Sequence, residues 1–305
     1  MDKATWLRIR RSSIGGSDVG TILGFNKYKS AYQLWLDKTG QIEIDTDSPS
    51  DAAYLGTALE PFVAKEFEVR TDKKVRVDNH MYFHKDYPFL SANVDRQIVG
   101  ENAILECKTA SPYLADKWEG DNIPEQYIFQ IQHYMDVLDK DYAYVCALIW
   151  PRIIWKRVER DQELIDIMQE RLIDFWENNV IKNIAPPIDG SSATTNFLKE
   201  RFTSFDQGKQ IELGSREDEL IHNLNKQKVI MEEVKENIAQ IENQIKNELG
   251  KENAEIAVTP KNIIKWKAIT SNRIDSKKLK EEQPEIFEEY VKSNSYRKFK
   301  IEEIK

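Results

Sequence analysis

The chain has 305 residues, of which 40% are hydrophobic, 31% charged and 10% aromatic, and its formal net charge is −8. This balance predicts a soluble folded protein with one large core and an appendage, or with two domains, and no apolar run approaches the ~18 residues that a membrane helix needs. The acidic sum does not exclude a nucleic-acid partner, because the first thirty residues carry six Lys and Arg side chains against two Asp, and local fields rather than net charge steer partners.

The first 185 residues alternate between helix and strand patterns, which predicts an α/β core. Apolar residues recur at helical spacing, with capping or breaking residues at the ends, over residues 30–40, 51–67, 124–138 and 162–180. Strands are predicted at residues 75–77, 80–83, 90–99, 103–109 and 143–150. The polar stretch 41–50 is expected to be an exposed loop.

Residues 186–214 are predicted to be a linker, because they begin with a Pro- and Gly-rich stretch. Residues 215–305 form a predicted extension that opens with a heptad helix at 215–249 and continues as a small α+β segment. One row of the helix has Leu220, Gln227, Val234 and Ile241, and the other has Leu224, Met231, Ile238 and Ile245. This pattern favours a structural arm, packed against its own chain or a neighbour. Short strands near 256 and 263–266, a helix at 284–291 and a basic strand at 296–301 are expected to follow.

The pattern with the most chemical content is Asp95 followed by Glu106-Cys107-Lys108. If two strands joined by a short turn hold these residues, side-chain alternation places Glu106 and Lys108 on one face and Cys107 on the other. A hairpin would bring Asp95 alongside Glu106. Two converging carboxylates attract a hard divalent cation, most readily Mg²⁺, and a lysine beside them can orient or deprotonate a water. The pattern therefore indicates metal-assisted phosphodiester hydrolysis, although an ordinary ion pair between strands at the surface has the same residues.

Two helical residues are further candidates. Glu60 lies in the predicted helix 51–67 and could project towards the sheet, or it could be a solvated helix glutamate. Gln130 lies three residues after Tyr127 and shares its side of the helix 124–138.

The N-terminal run from Trp6 to Asp18 places two glycines before a predicted helix that is capped by Ser17 or Asp18. Free backbone N–H groups at such a helix end attract phosphate, and Arg10 or Arg11 could clamp one with two hydrogen bonds. An ordinary glycine turn with a capping serine accounts for the same residues equally well.

Taken in order, Trp6 to Asp18, Gly56 to Glu60, Asp95, Glu106-Cys107-Lys108 and Gln130 to Tyr134 make the first 180 residues resemble the YqaJ-type viral recombinase family. This family is related to phage λ exonuclease within the PD-(D/E)XK nucleases. The resemblance implies a restriction-endonuclease-like core, with a mixed central sheet flanked by helices, over residues 1–185. Val94 stands where the family name has proline, and the extension 215–305 has no equivalent in the λ enzyme.

The resemblance also implies residue roles. Asp95, Glu106 and the backbone carbonyl of Cys107 match the metal ligands, Lys108 the catalytic lysine, and Glu60 and Gln130 the outer acidic and glutamine motifs that support the metal site. For the nucleic acid, it implies that Arg10 and Ser17 grip the 5′-phosphate, and the basic side chains of Arg11, Arg297 and Lys298 are further candidates for contact with DNA or a partner protein.

The activity implied is a Mg²⁺-dependent 5′→3′ exonuclease on double-stranded DNA ends, with Mn²⁺ expected to substitute. It would leave 3′ overhangs for a RecT-type annealing protein in phage recombination, and relatives form ring-shaped homotrimers. An endonuclease of the same fold and a non-catalytic DNA-end scaffold are the alternatives. With two cysteines, too few for a disulfide framework or a cysteine-ligated cluster, the expected setting is a reducing cytoplasm. The resemblance implies that this is a bacterial host's cytoplasm, with the gene carried by a phage or prophage.

Overall fold

A computed structural model describes residues 3–43, 50–292 and 297–302. The chain divides between Phe202 and Thr203 into two compact units. Residues 44–49 of the predicted polar loop lie outside the described residues. No described helix is long and apolar enough to cross a membrane.

The first unit contains seven α-helices and seven strands among its described residues. The helices are α1 (Lys3–Arg11), α2 (Gly16–Ile22), α3 (Ala31–Lys38), α4 (Asp51–Thr71), α5 (Glu125–Leu138), α6 (Gln162–Asp174) and α7 (Ser192–Arg201). The strands are β1 (Val75–Val77), β2 (Tyr82–Phe83), β3 (Ser91–Ala92), β4 (Arg96–Ile98), β5 (Ala103–Ala110), β6 (Tyr142–Ile149) and β7 (Arg152–Glu159). A 3-10 helix spans Pro112–Trp118, and α6 continues as a π-helix over Phe175–Ile181.

Five strands form a mixed sheet in the order β1-β4-β5-β6-β7. Only β5 and β6 are parallel, and every other neighbouring pair is antiparallel. A parallel pair needs a crossover connection, and α5 provides it between β5 and β6. β2 and β3 pair with each other in a separate two-stranded sheet.

Helices cover both faces of the five-stranded sheet. On one face α4 packs Val63 and Phe67 against β5 and β6, and on the other α5 packs Ile131 and Met135 against the same strands. A third cluster joins α2, α3 and α6 around buried apolar side chains that include Leu34. This arrangement buries the N-terminal half of β5 from both sides and leaves its C-terminal half partly open.

The second unit begins with α8 (Ser215–Lys251), a single helix of 37 residues. A two-stranded antiparallel sheet follows, made of β8 (Ile256–Val258) and β9 (Ile263–Lys265). Two short helices, α9 (Ser276–Glu282) and α10 (Pro284–Tyr290), complete its described elements. The predicted heptad helix and the two short strands therefore lie where the sequence places them.

Several predicted elements differ from the structure. The predicted strand 90–99 is two strands, because β3 pairs with β2 whereas β4 pairs with β5. The predicted linker 186–214 contains α7, whose Phe197 ring packs against Tyr32 of α3. The prediction of a basic strand at 296–301 is wrong for its described part, since residues 297–302 form neither helix nor strand. Helix α2 is capped by Gly15 rather than by Ser17 or Asp18, and Asp18 accepts a hydrogen bond from the Gly15 N–H across the first turn.

Candidate active site

Asp95 and Glu106 lie side by side where β4 meets β5. The antiparallel register pairs Arg96 with Leu105, so the next residues outward along the two strands are Asp95 and Glu106. Asp95 Oδ2 accepts a hydrogen bond of 2.7 Å from the Cys107 N–H. At the start of β4, the Asp95 side chain thus takes the place of a backbone carbonyl as the partner of β5. The predicted hairpin arrangement of the two carboxylates is present.

Lys108, Glu106 and Gln130 form one hydrogen-bonded network. Lys108 Nζ donates to Glu106 Oε1 at 2.6 Å and to Gln130 Oε1 at 3.0 Å, and Gln130 Nε2 donates to Glu106 Oε1 at 2.8 Å. On the helix, Gln130 Nε2 also donates to the hydroxyl of Tyr134 at 2.9 Å. The ammonium of Lys108 lies 5.0 Å from the centre of the Tyr127 ring, within the range of a cation–π interaction. Alternation along β5 thus points Glu106 and Lys108 together towards α5.

Burial and like charge dominate the electrostatics of the cluster. Burial, and next the neighbouring Glu106 carboxylate, raise the pKa of Asp95 to about 8. Burial alone would lower the pKa of Lys108, but the carboxylates of Glu106 and Asp95 outweigh it and raise that pKa. Two carboxylates therefore repel each other in a poorly solvated place, beside a lysine that stays protonated.

The cluster fits a divalent cation. Glu106 Oε2 is buried and has no hydrogen-bond partner, and a buried carboxylate oxygen normally has one. Within the described part of the chain, no group of three His, Cys, Asp or Glu side chains is placed to hold a metal, which leaves a site of two carboxylates on adjacent strands. Mg²⁺ is commonly held by one or two carboxylates with its remaining positions filled by water and substrate oxygens, so Asp95 and Glu106 suit it, and the Cys107 carbonyl directly follows Glu106 in the chain.

Glu60 does not join the two carboxylates. Its Oε1 accepts a hydrogen bond of 2.5 Å from Arg96 Nη1, and the Arg96 guanidinium is itself buried. Glu60 and Arg96 nevertheless line the same cleft as Asp95, whose volume is about 670 Å³. A larger cavity, of about 1190 Å³, lies along β7 and contains none of the predicted site residues.

Asp78 also lines this cleft. Its carboxylate accepts hydrogen bonds from Gln97 Nε2 and the Tyr82 hydroxyl, both at 2.8 Å, and from the His80 N–H at 3.0 Å. Burial alone would raise the pKa of Asp78, but these donors, led by Gln97, lower it to about 2. The carboxylate is therefore a fixed structural anion that ties the chain after β1 to β4.

The N-terminal run brings Arg10 and Ser17 together. Arg10 Nη2 donates to Ser17 Oγ, and the Arg10 guanidinium lies 5.0 Å from the centre of the Trp6 ring. Trp6 lines the same cleft as Asp95. Arg11 points elsewhere, since its guanidinium binds Asp37 Oδ1 at 3.0 Å and the carbonyl of Ile42 at 2.9 Å. Of the two arginines proposed to clamp phosphate, the structure places Arg10 beside the cleft and engages Arg11 in the fold.

Gly16 connects this segment to the carboxylate cluster. A Cβ atom at Gly16 would lie 2.4 Å from Tyr134 Cε1 and 3.0 Å from Gln130 Cγ, so glycine allows α2 to approach α5 closely. Ser17 follows Gly16 directly, and Gln130 binds Glu106 and Lys108. The two predicted functional groups are therefore parts of one packed unit.

A buried ion pair fixes the geometry of the N-terminal segment. Lys38 Nζ binds Asp18 Oδ2 and the carbonyl of Arg10, both at 2.7 Å, and both side chains are almost fully buried. Burial would raise the pKa of Asp18, but the cations around it, Lys38 first and then Arg10 and Lys29, together lower that pKa. This pair ties the end of α1 to the start of α2.

The two C-terminal candidates belong to the second unit. The Arg297 guanidinium lies 5.3 Å from the centre of the Phe205 ring, and Lys298 is exposed. Their predicted role as contacts for DNA or a partner stays a prediction.

Four residues near the cluster had no role predicted from the sequence: Trp6, Arg96, Tyr127 and Tyr134. Only their spacing from the predicted site residues could have indicated that they lie near the cluster. Trp6 and Arg10 are four apart on α1, as are Gln130 and Tyr134 on α5, and residues four apart share a helix face. Arg96 follows Asp95 and gave no separate sign, because its partner Glu60 is 36 residues away.

Comparison with known proteins identifies the family of the chain and shows which solved structures share its fold. Residues 5–141 match the model of the YqaJ-like viral recombinase domain. Across its whole length the chain is 45% identical to the uncharacterized protein YqaJ of Bacillus subtilis (strain 168), over 307 aligned residues and 95% of that protein.

Among solved structures, an alkaline exonuclease from Laribacter hongkongensis is similar, with a TM-score of 0.51 and 17% identity. The match covers 66% of this chain and 98% of that one, and the complex of the same exonuclease with dAMP matches equally well at 16% identity. With the mixed sheet flanked by helices, this likeness confirms the predicted PD-(D/E)XK-type core fold. The chain belongs to the YqaJ-like viral recombinase family.

Proposed function

We propose that this protein is a Mg²⁺-dependent exonuclease that degrades one strand of double-stranded DNA from its 5′ end and leaves a 3′ overhang. The observation that carries the proposal is the cluster of Asp95, Glu106 and Lys108, in which a buried Glu106 oxygen has no partner. The fold neighbour from Laribacter hongkongensis is an alkaline exonuclease and has been solved with dAMP. A mononucleotide is the product that the proposed reaction releases.

The chain's own residues supply position and charge for phosphodiester hydrolysis. When bound, Mg²⁺ supplies a Lewis acid for the phosphate and lowers the pKa of a bound water. Asp95 and Glu106 would hold the ion, and the Lys108 ammonium would donate hydrogen bonds to the reacting phosphate and water. Gln130 holds Glu106 and Lys108 in one orientation. The Lys108 ammonium therefore needs little movement to stabilise the negative charge that develops on the phosphate.

Arg10 and Ser17 would give the protein a preference for 5′-phosphorylated ends. Hydrolysis breaks the P–O3′ bond, gives the leaving nucleotide a 3′-hydroxyl and leaves a phosphate on the next nucleotide. Each turnover therefore recreates the end that the Arg10 guanidinium would bind, and such an arginine can grip phosphate with two hydrogen bonds. Ser17 follows Gly16, which packs on α5, and Gln130 of α5 binds Lys108. This packing would hold the bound phosphate at a constant distance from Lys108.

The proposed oligomeric state, partner protein and biological setting follow from membership of the family. A ring of three copies around DNA would give processivity without an ATP motor, and a RecT-type annealing protein would receive the 3′ overhang. Phage recombination in a bacterial host is the proposed setting.

Linear duplexes with a 5′-phosphate or a 5′-hydroxyl on one strand test the activity. With Mg²⁺ we expect mononucleotides from the phosphorylated strand, and with EDTA we expect none; Mn²⁺ should replace Mg²⁺. Full-length phosphorylated DNA that persists with metal would refute the proposal and would favour the DNA-end scaffold if the protein still binds ends. Covalently closed circular DNA should stay intact, whereas its cleavage would indicate the endonuclease.

Two pairs of variants assign the residues. Lys108→Ala should lower the rate by at least ~100-fold, as loss of a charge-stabilising donor does, whereas Lys65→Ala, an exposed lysine of α4, should not. Arg10→Ala should remove the preference for 5′-phosphate, whereas Arg8→Ala in the same helix should keep it. Equal rates for Lys108→Ala and the unmodified protein would remove the lysine from the mechanism.

A further inference from the structure

A basic cleft follows β7, the last strand of the five-stranded sheet. It is the cavity of about 1190 Å³ that contains none of the predicted site residues, and we call it the β7 cleft. Its charged lining residues are the cations Arg70, Arg152, Lys156 and Arg157 and the carboxylates Glu119 and Asp121. Because the cations outnumber the carboxylates, the β7 cleft attracts anions.

Two of these cations lack a carboxylate partner. Arg70 and Arg157 each pair with a glutamate of their own element. Arg152 is exposed, and Lys156 Nζ donates to two backbone carbonyls of the segment that follows β5. Among the described residues, no carboxylate forms an ion pair with Arg152 or Lys156. Burial lowers the pKa of Lys156, so an anion bound in the cleft would stabilise the charged form of this side chain.

Trp118 connects the wall of the β7 cleft to the catalytic cluster. It is only 4% exposed, and its indole N–H has no hydrogen-bond partner among the described residues, although a buried donor normally has one. An acceptor bound in the cleft would provide that partner. The Trp118 and Tyr127 ring centres are 5.7 Å apart, and the Lys108 ammonium lies 5.0 Å from the centre of the Tyr127 ring. One aromatic ring therefore separates the cleft wall from the catalytic lysine.

Two exposed aromatic residues follow the strands that lead to this cleft. Ala110 of β5 pairs with Ile149 of β6 at the end of the parallel ladder, and Ile149 lines the cleft. Tyr113 comes shortly after Ala110 and Trp150 directly after Ile149, and their side chains are 94% and 74% exposed. Exposed rings beside a basic groove are the features with which proteins hold unpaired nucleotides.

We propose that the β7 cleft binds single-stranded DNA, and that its ligand is the retained strand that carries the 3′ overhang. This inference rests on the proposed function, in which the other strand leaves as mononucleotides and the retained strand is the lasting single strand. Bases of a duplex already stack on each other, so exposed rings gain most from unpaired bases. The free edge of β7 could also pair with a peptide strand, but the exposed rings and the cations without carboxylate partners favour nucleic acid.

Binding without cleavage tests the cleft. In EDTA, fluorescence anisotropy should show that a duplex with a recessed 5′-phosphate and a 3′ overhang of about ten nucleotides binds ~10-fold or more tightly than the same duplex with a blunt end. Arg152→Glu should remove this gain. Arg171→Glu, which changes an exposed arginine of α6 outside the cleft, should keep it. Equal affinity for the two duplexes, or a gain that survives Arg152→Glu, overturns the proposal.

The exposed rings have a separate readout. A 2-aminopurine base in the overhang should lose fluorescence when it stacks on a protein ring. Tyr113→Ala should weaken this quenching, whereas Tyr290→Ala, which removes a tyrosine of α10 that is 75% exposed, should not. Equal quenching in the two variants contradicts the proposal.

Competition and digestion separate the remaining explanations. If poly-glutamate displaces the overhang as well as an oligonucleotide of equal charge does, the cleft is a site for acidic peptides and the proposal is wrong. Digestion of 5′-phosphorylated duplex without any preference for the overhang in binding would refute the cleft alone. An overhang preference that Arg152→Glu removes, in a protein that digests no DNA, would refute the proposed exonuclease and leave the cleft as a single-strand site.

Discussion

Replacing Gly16 by alanine tests the close packing between the N-terminal segment and the carboxylate cluster. The new methyl group would lie 2.4 Å from Tyr134 Cε1, 2.7 Å from Tyr134 Cζ and 3.0 Å from Gln130 Cγ. The Tyr134 ring is buried and its hydroxyl accepts from Gln130, so it cannot rotate away freely. Either α2 moves outward or Gln130 shifts together with the groups that it holds.

The expected cost is that of overpacking, about 1–3 kcal/mol. Alanine is a better helix former than glycine by up to about 1 kcal/mol, but Gly16 is the first residue of α2, where this gain is smallest. We therefore expect the free energy of unfolding to fall by about 1–3 kcal/mol. A displacement of about 1 Å in a catalytic group can lower a rate ~100-fold, so the exonuclease rate should fall by more than the loss of folded protein explains.

Gly20→Ala in the same helix is the matched control. Its added methyl would lie 3.7 Å from Gln126 Cβ, an ordinary contact, and we expect a change between zero and a gain of about 1 kcal/mol. Urea unfolding followed by tryptophan fluorescence measures both variants, and the duplex-digestion assay gives the rates. If Gly16→Ala is as stable and as active as Gly20→Ala, the proposed coupling between α2 and α5 is wrong.

Three further results are expected. Tyr127→Phe should keep the duplex-digestion rate and Tyr127→Leu should lower it, because phenylalanine keeps the aromatic face beside the Lys108 ammonium and leucine removes it; equal rates for both would exclude this role. Since the pKa of Asp78 falls from 3.8 to about 2 on folding, its stabilising contribution is complete above pH 4 and is lost as the pH falls to 2. Acid titration of the unfolding free energy should therefore be shallower in Asp78→Asn over that window, and identical slopes would contradict the assignment. Lys38→Met should lower the free energy of unfolding by about 3–5 kcal/mol, because it leaves the Asp18 carboxylate buried without the Lys38 ammonium. Adding Asp18→Asn should recover part of that loss in the same urea measurement.

The centre of the candidate site was predictable because it depends on local geometry. Strand alternation alone puts Glu106 and Lys108 on one face, and a short turn alone brings Asp95 to Glu106. The pairing of Glu60 with Arg96 was not predictable in this way. It depends on where α4 lies over the sheet. The sequence around a helix glutamate does not indicate which cation, distant in the chain, will pair with it.

The missed elements have physical reasons as well. Strand β7 has the sequence Arg-Ile-Ile-Trp-Lys-Arg-Val-Glu, in which apolar and polar residues do not alternate, because an edge strand is held by one neighbour and both of its faces are partly exposed. The predicted strand 90–99 breaks at Asn93 to Asp95, where the chain leaves one sheet for another. Its mixture of apolar and polar residues, Leu-Ser-Ala-Asn-Val-Asp-Arg-Gln-Ile-Val, gave no indication of two different partners.

Strand β5 carries Glu106 and Lys108, and it is hydrogen-bonded to β4 on one side and to β6 on the other. Amide hydrogens of such a central strand exchange with solvent only when much of the domain unfolds, whereas edge strands and helix ends open locally. The Cys107 N–H belongs to this slow class, because Asp95 holds it where the ladder to β4 has ended. Because β5 is bonded on both sides, local opening of edge strands and helix ends is expected to leave the two carboxylates and the lysine in place.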